Sequence, residues 1–192
     1  MIVSFTKTST KTECIWQGLR SERLPPEVQS RALAKLRMLN RAKSLDDLRN
    51  PPGNQLHALR NDRAGQHSIR INDQWAYVSV SRTETHTMSK SPTTINPEWL
   101  HNSNAGELLV SEFMEPLGLT EDVLACSLAI APSRLHDVIA GTVPMDAELD
   151  LRLARYFRMS DGFFLGLQDD YELLEAKRAL NGELDKILPR AA

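Results

Sequence analysis

Apolar residues recur at strand spacing near the start of the chain and at helical spacing over most of the rest. Met1–Ile2–Val3–Ser4–Phe5 alternates apolar and polar positions, which predicts a short half-buried strand. From Pro25–Pro26–Glu27 onward, Val28, Leu33, Leu36 and Leu39 return every three to five residues, while Arg31, Lys35, Arg37 and Arg41 are left for an outer face. That pattern predicts an amphipathic helix started by proline. Ser44 before Leu45–Asp46–Asp47–Leu48 predicts a capped helical turn with early carboxylates, stopped by Pro51–Pro52–Gly53–Asn54. Two strands are expected next, Gln55 to Leu59 and Gln66 to Ile71, joined by a polar connector containing Gly65. Gln74 to Val80 completes a small sheet with helices on it.

Residues 81–104 are rich in Ser, Thr, Asn and His and show no period, which is the composition of a linker. Beyond them the period is helical throughout. Gly106 to Gly118 predicts a helix with Leu108, Leu109, Phe113 and Met114 inside, closed by Pro116 and Gly118. Thr120 caps a helix carrying Val123, Leu124 and Leu128; Ala129–Ile130–Ala131 makes a short turn; Pro132 opens a second helix that Gly141 ends. This is a helix-turn-helix. Met145 to Arg158 follows as a third helix burying Leu149, Leu153, Ala154 and Phe157, a fourth begins near Ser160 with Phe163, Phe164 and Leu167 inside, and a last one runs from Tyr171 to about Leu188. The aromatic residues read as core. The domain plan is thus 1–80, a linker at 81–104, and an all-helical unit at 105–192.

On the second helix of the pair, Leu135, Val138 and Ile139 form the buried stripe, which leaves Ser133, Arg134, His136 and Asp137 exposed near the end that such motifs insert into the major groove. Arg134 suits a guanine edge or a phosphate, Ser133 and the helix amides a phosphate, and His136 or Thr142 the DNA backbone. A dimer on operator DNA is the function these residues point to.

Charge sharpens the two-part division. The net charge of −2 conceals 14 Lys and Arg against 8 Asp and Glu before residue 88, and 9 against 17 from there on. A basic first half suggests a polyanionic partner, and an acidic second half suggests a mask for it. Hydrophobic residues make up 41% of the chain, a normal value for a globular protein. No apolar run approaches the ~20 residues that cross a bilayer, so a cytoplasmic protein without a membrane partner is expected. Cys14 and Cys126 have no metal-ligand spacing around them, so neither a disulfide framework nor a metal or other cofactor is expected.

Three stretches carry a family resemblance: Gly106–Leu109 through Phe113–Leu119, then Leu151–Phe157, then Phe163–Leu173. They closely resemble HigA antitoxins. Independently, Leu45–Asn54 with Asp62–Trp75 looks like a HigB toxin of the RelE superfamily. Toxin before antitoxin is the order of the hig operon, so the chain looks like both partners in one polypeptide. The fold class implied is an α+β RelE-like domain followed by an all-α helix-turn-helix domain of the lambda-repressor type. The resemblance also implies a first half that cuts messenger RNA on the ribosome. The second half would dimerise, repress its own operon and neutralise the first through an intramolecular or domain-swapped contact.

Metal-free cleavage of RNA needs a group to activate the ribose 2′-OH, cations for the scissile phosphate and an acid for the leaving oxygen. The positions matching the family are His57 and Arg60 around one strand and Arg70 on the next. Two departures stand against activity. Members of the family carry arginine after the tryptophan, where this chain has Ala76, and they continue into a further strand ending in tyrosine and histidine, where this chain passes into Ser81–Thr87. Loss of one phosphate clamp lowers transition-state stabilisation by ~3 kcal/mol, a hundredfold or more. The first half is therefore expected to be attenuated or inactive. Two further readings are a competent messenger-RNA interferase held silent in cis, and a DNA-binding regulator whose first half is only an interaction domain.

Overall fold

The computed structural model describes residues 10–22, 24–61, 64–73, 76–79, 99–188 and 190. The strand expected over Met1–Phe5, and Trp75, Val80 and residues 81–98, lie outside them.

Helix α1 (Thr10–Trp16) was not signalled by any period, and it packs against α2 (Pro26–Arg41) through the fully buried Ile15. Pro26 occupies the first turn of α2, where its missing N–H costs nothing. The helical turn α3 (Asp46–Arg49) forms as expected, with Asp47 N–H donating to Ser44 Oγ at 3.3 Å. The antiparallel sheet has the order β1 (His57–Ala58), β2 (His67–Arg70), β3 (Ala76–Ser79). Its strands are shorter than the apolar pattern suggested. Gln55 has a φ of 42°, a left-handed conformation that ends strand geometry on that side.

The helical half begins at Asn104, which forms a capping box with Glu107 at the start of α4 (Ala105–Leu109). The helix widens into a π-turn over Val110–Met114 before α5 (Glu115–Leu117), because Pro116 has no N–H to bond back to Glu112. Then come α6 (Glu121–Leu128), α7 (Pro132–Ile139), α8 (Ala147–Phe157) and α9 (Phe163–Leu180). The two last helices of the sequence reading are one. Gln168–Asp169–Asp170 contains no breaker, so α9 runs through Tyr171 for 18 residues and stops at Asn181, where φ is 40°. Phe113, Phe157, Phe163 and Phe164 pack as a ring cluster, with Phe113 centred 4.9 Å from Phe157 and 5.1 Å from Phe164. They are core, as expected. No helix among the described residues is long and apolar enough to cross a membrane.

The larger correction concerns α2. Its basic side was expected to be an outer face, but Lys35 is fully buried and Arg37 is 3% exposed. The helical half covers them. Ala34 and Met38 belong to the same core as Leu109, Phe113, Leu153 and Phe164, while Ala32, Leu33 and Leu36 on the other side of α2 meet Ile15, Ile71 and Leu100. A helix that is apolar on two sides must be sandwiched, and its cations then need buried partners.

Candidate nucleic-acid interfaces

The helix-turn-helix is built locally. Thr120 Oγ1 accepts from Val123 N–H to start α6, Ala129 closes it with a left-handed φ of 54°, and Pro132 opens α7. Leu124, Leu128, Leu135 and Val138 are buried together. Gly106 of α4 lies so close to α7 that a Cβ there would collide with the Val138 carbonyl, so this glycine sets the distance between the two helices.

Each sequence-predicted DNA contact lies at the surface, and three of the four already have partners. Ser133 is exposed in the first turn of α7. Arg134 is one-third exposed and reaches α8: its Nη2 donates to both Asp146 carboxylate oxygens at 3.0 and 2.8 Å, and its Nη1 donates to Glu148 Oε2 at 3.1 Å. His136 Nδ1 sits 3.0 Å from Glu121 Oε2 of α6. Thr142, past the far end of α7, donates from Oγ1 to the Asp137 carbonyl at 2.9 Å. Ser133 and Arg134 thus share the N-terminal end of α7, and Thr142 does not join them.

The carboxylates that hold Arg134 escaped the sequence reading. Asp146 is the N-cap of α8, accepting from Leu149 N–H at 2.8 Å, and this bond together with the Arg134 guanidinium holds its carboxyl below the usual range. Glu148 is held low by Arg152 and then by Arg134. Their hydrogen bonds in turn raise the pKa of Arg134. A cap before a helix is legible in sequence; its second contact, with Arg134 12 residues away, is not.

The sheet presents a second surface. His57 pairs with Ser68, and Ser68 and Arg70 alternate on β2, so His57 and Arg70 share one face of the sheet, set diagonally. His57 is exposed; Arg70 donates to Gln55 Oε1 at 2.7 Å and pairs with Asp73. Ala76 is the direct partner of Arg70 on β3 and therefore stands on the same face. Arg60 lies past β1, exposed at the connector, and does not join the pair.

Between the two surfaces run the buried charges that join the halves. Lys35 Nζ donates to Asn54 Oδ1 at 2.8 Å and is in contact with the Glu112 carboxylate, whose residue is 2% exposed in the π-turn. Burial pulls the Lys35 pKa down, and Glu112 opposes it. Arg37, which burial lowers to about 10, donates to the Ser103 carbonyl at 3.1 Å. Arg41 grips Asp170 with two bonds of 2.9 and 2.8 Å. The Asp47 carboxylate accepts from Lys43 and Ser44 N–H in its own half and from Ser160 N–H and Oγ at 2.6 and 2.7 Å in the other. Burial alone would raise the Asp47 pKa, but these four donors hold it below the usual value.

Comparison with known proteins adds identity to this geometry. Residues 15–82 match the family of RelE-like toxins of the type II toxin-antitoxin system HigB. Virulence-associated protein I of Dichelobacter nodosus is 34% identical over 73 residues, which are 38% of this chain and 68% of that protein. The chain belongs to that protein's family and carries a HigB-like toxin domain at its N-terminal end. Among solved structures, the Pseudomonas aeruginosa antitoxin HigA with higBA promoter is 25% identical, covering 48% of this chain and 100% of its own, with a TM-score of 0.44. PA4674 of the same organism, in complex with its 18-bp operator DNA, is 28% identical over 48% of this chain and 98% of its own, TM-score 0.45. An addiction module antidote protein of the HigA family from Coxiella burnetii is 27% identical over 48% and 100%, TM-score 0.44. The expected likeness of the first half to HigB toxins is met by the family match over residues 15–82.

Proposed function

We propose that the chain is a fused toxin–antitoxin protein whose helical half binds operator DNA as a dimer and represses transcription, and whose HigB-like half is an attenuated messenger-RNA endoribonuclease. The observation that carries the first part is the α6–α7 pair, with Ser133 and Arg134 side by side at the open N-terminal end of α7. That end presents the Ser133 hydroxyl and one guanidinium, a combination suited to a phosphate or a guanine edge. Because the half is acidic, affinity must come from this local patch and from doubling it in a dimer. A mobility shift on the DNA upstream of the coding sequence tests this. Arg134→Ala should weaken all sequences alike if Arg134 meets a phosphate, and only the operator if it reads a base. No retardation of any duplex by the unaltered chain at low salt would sink the reading.

Attenuation is supported by the place of Ala76 on the sheet. An arginine there would stand beside Arg70 on the His57 face, so its absence removes a cation from the surface where a scissile phosphate would lie. Ala76→Arg is expected to raise cleavage of ribosome-bound messenger by about a hundredfold over the unaltered chain. Equal cleavage by both would mean that the missing cation is not the cause. The exposure of His57 and Arg60 bears on neutralisation too. In this reading the helical half restrains the toxin half by holding α2, through Lys35, Arg37 and Arg41, and not by covering the sheet.

A further inference from the structure

Arg31 lies on α2 one turn before Lys35. It stands on one side of an open cleft of about 600 Å³ whose other side is the end of β2 and the turn after it; Gly53, Gln55, Arg70, Ile71, Asn72 and Asp73 complete the lining. Two guanidinium groups thus face one space from two different elements. Arg31 is half exposed, and its contact with Glu112 is 3.8 Å, beyond hydrogen-bond distance. Glu112 is instead engaged by Lys35. On the opposite side, Arg70 donates to Gln55 Oε1 at 2.7 Å and pairs with Asp73, which is 87% exposed and three residues away; the second contact is the kind of surface pair that contributes little and is easily exchanged for a stronger anion. The floor at Gly53 cannot carry a side chain, because a Cβ would strike the Glu112 carboxylate, so the backbone itself lines the cleft.

We propose that this cleft holds a backbone phosphate of single-stranded RNA between Arg31 and Arg70, as an anchor for the strand that passes over His57. The proposal rests on the ribonuclease-like reading of the N-terminal half and adds to it a contact outside the sheet. Arg70 shares the His57 face, so a strand lying over His57 reaches the cleft without crossing the sheet edge. Because Arg31 and Arg70 line the cleft from different elements, a phosphate bound in it would receive donors from two directions, which a single arginine cannot provide. Arg31 acts here in binding only.

The test measures affinity of the full chain for a short fluorescein-labelled single-stranded oligoribonucleotide by anisotropy over a range of salt concentrations. Arg31→Gln and Arg70→Gln should each weaken binding about tenfold and each reduce the slope of log affinity against log salt by about 0.7, the value of one phosphate contact on a single strand. Asp73→Asn should tighten binding, a gain that a folding defect cannot imitate. Lys186→Gln, at an exposed cation beyond α9, should leave this probe's affinity unchanged. The deoxy strand of the same sequence and inorganic phosphate serve as competitors. RNA is expected to displace the probe well below the concentrations the other two need; equal competition by inorganic phosphate would reduce the site to a free-anion site and overturn the proposal. If Arg31→Gln leaves affinity and slope intact while Arg70→Gln lowers both, the cleft is overturned and the ribonuclease-like reading stands. If the unaltered chain does not bind RNA at any salt, that reading fails and the proposal with it.

Discussion

Lys35 and Arg134 each meet a carboxylate from another helix, yet the two contacts have opposite consequences. Lys35 and Glu112 lie under the molecule's surface, at 0% and 2% exposure, with Asn54 as an additional acceptor. Arg134, Asp146 and Glu148 lie in water, where the same charges attract one another weakly and salt screens them. The buried contact fixes how the HigB-like half sits on the helical half. The exposed one competes with any polyanion that approaches α7. Burial therefore turns an ion pair into a fastening, and exposure leaves it as a gate.

Breaking the fastening should have the largest effect. Lys35→Met strands the Glu112 carboxylate in the interior and is expected to cost about 3–5 kcal/mol in urea unfolding of the whole chain. Adding Glu112→Leu should restore most of it, since two matched apolar side chains need no partner. Full cost in the double variant would mean that shape and not charge decides this contact. Next comes Asp47, whose four donors span the halves. Asp47→Ala should cost about 2–3 kcal/mol by the same measurement. Its carboxyl is held below the ordinary value of 3.8, so its contribution is fully present above that pH and is lost as the pH falls through the lower folded value. Acid unfolding of Asp47→Asn should accordingly be less steep than that of the unaltered chain. A parallel acid limb would show that other carboxylates dominate.

The gate is worth less. Glu148→Gln leaves Asp146 to cap α8 but removes one competitor for Arg134, and operator affinity should rise roughly twofold to fivefold at low salt and less at high salt. Weaker binding would mean that the Arg134 position set by Glu148 matters more than its freedom.

Much of the helical half was legible because its signals are local. Thr120, Pro132 and Gly141 mark the ends of α6 and α7, and Leu135 and Val138 lie buried where their spacing put them. The α2 boundaries were legible for the same reason. Its environment was not. Charged residues at Lys35 and Arg37 read as a solvated face, and only contacts with Glu112 and Ser103, 77 and 66 residues away, reverse that reading. The join between Gln168 and Tyr171 was missed because a cluster of acidic residues resembles a helix boundary, whereas Asp170 is held within α9 by Arg41. Among the candidate site residues, His57, Arg60 and Arg70 were reached through the family resemblance, whereas the placing of Arg70 diagonal to His57 depends on the strand register, which alternation within one strand does not give. Arg31 was out of reach, because a cleft between a helix and a sheet has no sequence period.

The central claim is that the HigB-like half is built into the helical half through α2 and is not a detachable enzyme. A site-specific protease sequence placed between residues 81 and 98 tests it directly, with size-exclusion chromatography and a messenger-cleavage assay after digestion. The account predicts that the two fragments elute together and that ribonuclease activity does not rise above that of the uncut chain. A free N-terminal fragment that cuts ribosome-bound messenger would contradict it.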